Sequence, residues 1–126
     1  MTASETKIVL IVEDDPICAE LCSDLLTAQG YEAIHVTDGW KAMEEVALEK
    51  RPNLILMDLQ LPDISGLKAS EMLKKSRAHA AIPIIAMTAF PSLWSEPACK
   101  EVGCDDYISK PFSVELFIKK VNTLIA

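Results

Sequence analysis

Five polar residues stand where short apolar runs stop. Glu13 and Asp14 follow KIVLIV, Asp58 follows LILM, Thr88 ends IIAMT, and Lys110 follows DYIS. If those runs are parallel strands, all five lie on one sheet edge, at the carboxyl ends where open α/β sheets bind ligands. Three carboxylates, a hydroxyl and an ammonium would then share one crevice. Close carboxylates repel and call for a cation, and an all-oxygen site with waters suits Mg²⁺. With the metal bound, Asp58 can attack a phosphoryl group as a carboxylate nucleophile and form an aspartyl phosphate. The metal and Lys110 would neutralise the phosphoryl oxygens as the transition state forms.

Each residue also has a plainer reading. Asp58 could simply begin a turn, since Pro62, Asp63 and Gly66 follow within a few positions. Thr88 could be an ordinary strand residue and Lys110 a solvated loop lysine. Their shared placement at strand ends decides for the chemical reading. His35, in a strand pattern, and His79, in a loop, have no acidic partner at a motif spacing and are read as surface or packing residues.

The elements that would position these groups follow from periodicity. Lys7 to Val12 and Leu54 to Met57 are continuous apolar runs, the mark of strands buried on both faces. Asp15 before Pro16 reads as a helix cap with proline at the first helical position, which leaves Glu13 and Asp14 for chemistry. That helix runs to about Gln29 with Ile17, Leu21, Leu25 and Ala28 as its apolar face, and Gly30 stops it. A strand follows from Glu32 to Val36. Asp38 caps a helix with Trp40, Met43 and Ala47 at helical spacing, ending before Pro52. Ser65 caps a helix from Gly66 to Ser76, and Pro83 introduces the strand IIAMT. Pro91 and Pro97 confine the next helix to about Glu96 to Val102. Asp106 to Ser109 is a short strand. Ser113 caps a last helix with Val114, Phe117, Ile118, Val121, Leu124 and Ile125 on one stripe. Five strands alternating with five helices predict an α/β fold, a parallel sheet covered on both faces with right-handed crossovers.

With 126 residues, 50% hydrophobic and 25% charged, the chain is expected to be one soluble domain without linker, repeat or second domain. No apolar run approaches ~18 residues and the N-terminus lacks the apolar core of a signal peptide, so neither a membrane span nor export is expected. The expected location is the cytoplasm. A net charge of −7 with only two arginines, Arg51 and Arg77, argues against nucleic acid and leaves proteins as partners. The four cysteines, Cys18, Cys22, Cys99 and Cys104, form no CxxC or zinc-ribbon spacing and are read as small buried hydrophobes without disulfides.

The segments VEDD, LILMDLQLPDISG, MTA and SKP, in that order and at these separations, closely resemble the receiver domains of two-component response regulators, from about Lys7 to Ala126. The resemblance implies a single flavodoxin-like receiver domain over 1–126, with 1–6 as an N-terminal extension and sheet order 2-1-3-4-5. It implies that Asp58 is the phospho-acceptor, that Glu13 and Asp14 are the acid pair, and that the backbone carbonyl of Gln60 completes the protein's ligands to Mg²⁺. Thr88 and Tyr107 resemble the family's switch pair, Lys110 its phosphoryl-contacting lysine, and Pro111 would follow a cis peptide. The implied donor is a histidine kinase or histidine phosphotransfer protein. The implied target is a protein bound by the face of the fourth helix, fifth strand and fifth helix. Such a chain is no enzyme beyond its own phosphoryl transfer and autodephosphorylation.

In receivers, the residues two beyond the acceptor and two beyond the switch threonine flank the path of the hydrolytic water. Here these are Gln60 and Phe90, and Phe90 offers no donor or acceptor, so slow autodephosphorylation is expected. FPSLWSEP, Phe90 to Pro97, departs from the family's flexible Gly-containing loop. The other class considered is a receiver-like adaptor that binds partners without phosphorylation, disfavoured because Glu13, Asp14, Asp58, Thr88 and Lys110 are all present. A DxDxT-type phosphatase is weaker still, because Gln60 stands where its second aspartate would be.

Overall fold

The computed structural model describes residues 6–48 and 51–125. Five strands, β1 (Ile8–Val12), β2 (Glu32–Val36), β3 (Leu54–Asp58), β4 (Ile84–Thr88) and β5 (Asp106–Ser109), alternate with α1 (Pro16–Ala28), α2 (Gly39–Val46), α3 (Gly66–Lys75), α4 (Glu96–Glu101) and α5 (Val114–Ile125). All strand pairs are parallel and the order is β2-β1-β3-β4-β5. β1, β3 and β4 are buried throughout, which is why their sequences run apolar without alternation. The expected extension 1–6 falls outside the described residues except for its last position. Among the described residues no helix is long and apolar enough to cross a membrane.

Successive residues of each strand serve opposite faces. Leu10, Val12, Ile55, Met57, Ile84 and Ala86 meet α2, α3 and α4 through Ala42, Val46, Ala69, Leu73 and Cys99. On the other face Val9, Ile11, Leu54, Leu56, Ile85 and Met87 meet α1 and α5 through Ala19, Cys22, Leu26, Phe117 and Val121.

Two helical faces differ from the sequence reading. On α1, Ile17 is 79% and Leu21 46% exposed, and the buried residues are Ala19, Cys22 and Leu26. On α2, Trp40 and Ala47 are exposed while Gly39, Ala42 and Val46 are buried. Both errors have one cause. A helix lying close on a sheet buries small residues at the line of contact, whereas periodicity weighted by side-chain size selects the large ones beside them. Val114, placed on the α5 stripe, is likewise exposed.

The caps hold as read. Asp15, Asp38 and Ser65 accept from Ile17, Lys41 and Lys68 N–H, and the Ser113 hydroxyl accepts from Leu116 N–H. Ser95, which nothing in the sequence reading singled out, caps α4 through Ala98 N–H. At the amino edge of the sheet, the Lys74 ammonium donates to the carbonyls of Ala80 (3.2 Å) and Ile82 (2.9 Å) and to Asp105 Oδ2 (2.8 Å). The same Asp105 oxygen accepts from Ile84 N–H (2.9 Å), so one half-buried cation ties α3 to the starts of β4 and β5.

Candidate functional site

The carboxyl edge of the sheet brings the acids together. Glu13 directly follows β1, its N–H donating to Val36 carbonyl (3.1 Å) and its side chain fully buried. The exposed His35 donates from Nε2 to Glu13 carbonyl (2.6 Å), holding the next peptide group from β2. Asp58 is the last residue of β3, 5% exposed, and the chain beyond it is held by Leu59 N–H on Met87 carbonyl (3.0 Å). Gly66 returns to this point, its N–H on Leu59 carbonyl (2.9 Å), and a Cβ there would lie 2.0 Å from Asp58 carbonyl. Only glycine lets α3 start so close behind the acid.

One carboxylate oxygen from each of Glu13, Asp14 and Asp58 lies within 4.8 Å of the others. The Lys110 backbone N–H donates to Thr88 carbonyl (2.7 Å), and the peptide between Lys110 and Pro111 is cis. Its ammonium pairs with Glu13 Oε1 and stands 3.7 Å from Asp58 Oδ1. These groups, together with Gln60 and Phe90, line a cleft of about 200 Å³. Gln60 N–H donates to Asp58 Oδ1 (3.3 Å). Thr88 is buried beside the cleft without lining it, its hydroxyl accepting from Phe90 N–H (2.8 Å). Tyr107 is further off, its hydroxyl donating to Trp94 carbonyl (2.7 Å). The structure thus gathers Glu13, Asp14, Asp58, Gln60 and Lys110, sets Thr88 next to them, and leaves Tyr107 at a distance.

The electrostatics report a shortage of positive charge. Burial, reinforced by the hydrogen bond to and charge of Glu13, pushes the Asp58 carboxyl up to about 8 despite Lys110. Burial also opposes ionisation of Glu13, yet its hydrogen bonds with Asp58 and Lys110 hold it below the usual carboxylate range. Lys110, which burial alone would lower, is raised by its hydrogen bond to Glu13 and the charge of Asp58. A hard cation would offset this concentration of carboxylate charge. The all-oxygen donor set fits such an ion.

Sequence reasoning missed Asp63. Its two carboxylate oxygens accept from Gly39 N–H (2.9 Å) and Trp40 N–H (2.9 Å), pinning the β3–α3 loop to the start of α2. These backbone bonds outweigh burial and lower the Asp63 carboxyl. The only local signal was an Asp in a turn; its partners are over twenty positions away.

The comparisons with known proteins agree with this geometry. The family model described as the response regulator receiver domain matches residues 9–122. The polar-differentiation response regulator DivK of Brucella ovis is 43% identical over 120 residues, covering 95% of this chain and 97% of the relative. The signal receiver domain of a signal transduction histidine kinase from Syntrophus aciditrophicus superposes with a TM-score of 0.88 at 32% identity, covering 95% of this chain and 90% of that one. The receiver domain of sensor histidine kinase PA1611 from Pseudomonas aeruginosa PAO1, solved with a magnesium ion coordinated in its active site cleft, does so at 0.86 and 29% identity, covering 95% and 98%. An acid cluster at the carboxyl edge of a 2-1-3-4-5 parallel sheet, matched by sequence over nearly its whole length, has one source: the chain belongs to the response regulator receiver domain family, a component of two-component signalling.

Proposed function

We propose that Asp58 accepts a phosphoryl group from a histidine kinase or histidine phosphotransfer protein, and that the phosphorylated chain then binds a protein target through the face of α4, β5 and α5. The observation that carries this is the meeting of Glu13, Asp14 and Asp58 within 4.8 Å, with the Lys110 ammonium on the first and last of them. Glu13, Asp14, Asp58 and the backbone carbonyl of Gln60 would hold Mg²⁺, which when bound neutralises carboxylate and phosphoryl charge. The magnesium in the cleft of the similar PA1611 receiver supports that choice.

An Asp58 oxygen forms the new bond to phosphorus while the bond from phosphorus to the donor imidazole nitrogen breaks. That nitrogen keeps the electron pair. Lys110, anchored through its backbone to Thr88 carbonyl, stands where charge on the phosphoryl oxygens develops. The Thr88 hydroxyl would turn towards the phosphoryl group and Tyr107 would move inward, giving two packings whose balance the phosphoryl shifts. Phe90 lines the cleft and can offer a hydrolytic water neither donor nor acceptor, which supports slow autodephosphorylation. The chemistry of this domain is then its own phosphoryl transfer and slow loss.

Transfer of labelled phosphoryl from an autophosphorylated histidine kinase, tried across a purified panel, tests the proposal. Label is expected on the wild-type chain and none on Asp58→Asn. Equal labelling of both would contradict it.

A further inference from the structure

Glu13 stands one residue beyond the last paired position of β1 and β2, Val12 opposite Val36. Its N–H donates to Val36 carbonyl (3.1 Å), and in a parallel ladder of that register its own carbonyl would take the N–H of Asp38. β2 stops at Val36, however, and Asp38 turns away to cap α2. A side chain takes the place of the missing rung: His35 Nε2–H donates to Glu13 carbonyl (2.6 Å). A carbonyl oxygen can only accept, so the ring nitrogen it meets carries hydrogen. Periodicity offers no reason for a histidine on this exposed position of an edge strand. The peptide group supplies the partner that no acid does.

We infer that His35 is a positioning residue for the acid site: it holds the peptide that joins Glu13 to Asp14, and with it the direction in which Asp14 presents its carboxylate. The inference deepens the proposed function and rests on its metal site. The three acids are not held alike. Glu13 is buried and paired with Lys110, and Asp58 ends a strand that is in register with β4 up to that residue. Asp14 lies beyond β1 and is exposed, so its orientation depends on the backbone on either side. On the far side Asp15 is tied into α1 as its cap. On the near side the tie is His35. A peptide plane free to rotate between them would swing Asp14 away from Glu13 and Asp58, which each bring an oxygen within 4.8 Å of one of its own. Partners that orient a metal ligand in this way act on affinity, and His35 reaches the site only through the backbone.

Methionine and glutamine match in length and differ in that only glutamine can donate a hydrogen bond. His35→Met is expected to weaken Mg²⁺ binding about three- to tenfold by titration calorimetry, the worth of one hydrogen bond, and His35→Gln to restore it to within about twofold of the wild type. The Mg²⁺ concentration that gives half-maximal phosphoryl uptake from a small phosphodonor should rise and recover by the same factors. Equal Mg²⁺ affinity in wild type and His35→Met, or a His35→Gln as weak as His35→Met, overturns the inference. The imidazole nitrogen resonances of the unsubstituted protein test the bond itself, whether or not a variant folds: hydrogen on Nε2 is expected, and hydrogen on Nδ1 alone overturns the role. A wild type that binds no Mg²⁺ strikes the metal site and the role of His35 with it. One that binds Mg²⁺ yet takes no phosphoryl strikes the Asp58 reading alone, and the affinities still decide His35.

Discussion

Burial and the neighbouring Glu13 raise the Asp58 carboxyl above that of a free aspartate, and this sets how the metal-free protein should respond to pH. Its folded-state value, raised to about 8, lies above the ordinary 3.8, so between these limits the folded chain binds a proton that the unfolded chain has lost. Stability is therefore expected to fall as pH rises from about 4 to 8. The full penalty is present above that window. Asp58→Asn cannot ionise and should flatten this slope, stabilising the metal-free protein by about 1–3 kcal/mol at pH 8. Denaturant melts of both proteins in EDTA across the window measure it. A second expectation concerns Phe90, half-exposed at the cleft. Phe90→Glu should speed loss of phosphoryl several-fold by opening the water's path and offering it an acceptor, read as the decay of phosphorylated protein. The placing of Glu13, Asp14, Asp58, Thr88 and Lys110 at strand ends is legible in the sequence because each terminates an apolar run. The side to which Phe90 turns is not, since two prolines and a tryptophan leave that loop without a period.

At the scale of elements, the strands and helices are legible within a residue or two except α2, which reads as ending before Pro52 and stops at Val46, while the helix faces are less so. β4 agrees with IIAMT because a buried parallel strand is short, apolar and abruptly bounded, and β5, an edge strand in which only Ile108 is buried, agrees with DYIS. The helix faces of α1 and α2 mislead because Ala19, Cys22, Gly39 and Ala42, small residues, make the close contacts. Long-range polar staples are also invisible from sequence, since Asp63 and Lys74 owe their roles to partners supplied by the fold. Lys74→Met tests the second. Removing the ammonium leaves two carbonyls and part of Asp105 unpaired, with Lys74 14% and Asp105 37% exposed, so a loss of about 2 kcal/mol is expected. The melting temperature should fall by roughly 5–10 °C. Phosphoryl uptake should persist, because the staple sits on the sheet edge opposite the cleft.

For the whole molecule, the parallel sheet is what makes a site out of residues scattered from Glu13 to Lys110. Alternation of strands and helices makes that architecture legible, but nothing in the periodicity orders the strands; the order 2-1-3-4-5 came from the resemblance and the structure bears it out. Clustering acids on one edge of a chain of net charge −7 leaves the folded state waiting for a cation. Mg²⁺ should bind the folded chain alone and raise its melting temperature, by the equivalent of about 2.7 kcal/mol at a hundred times its dissociation constant. A Glu13→Gln, Asp14→Asn double variant should lose most of that gain, which a thermal melt with and without the ion reads directly. The most direct measurement is intact mass after exposure to a small phosphodonor, for the wild-type chain and Asp58→Asn, each with Mg²⁺ and with EDTA. One added phosphoryl group is expected on the wild type with Mg²⁺ and on none of the other three; an adduct on Asp58→Asn, or undiminished uptake in EDTA, would contradict the assignment of Asp58 and its acid neighbours.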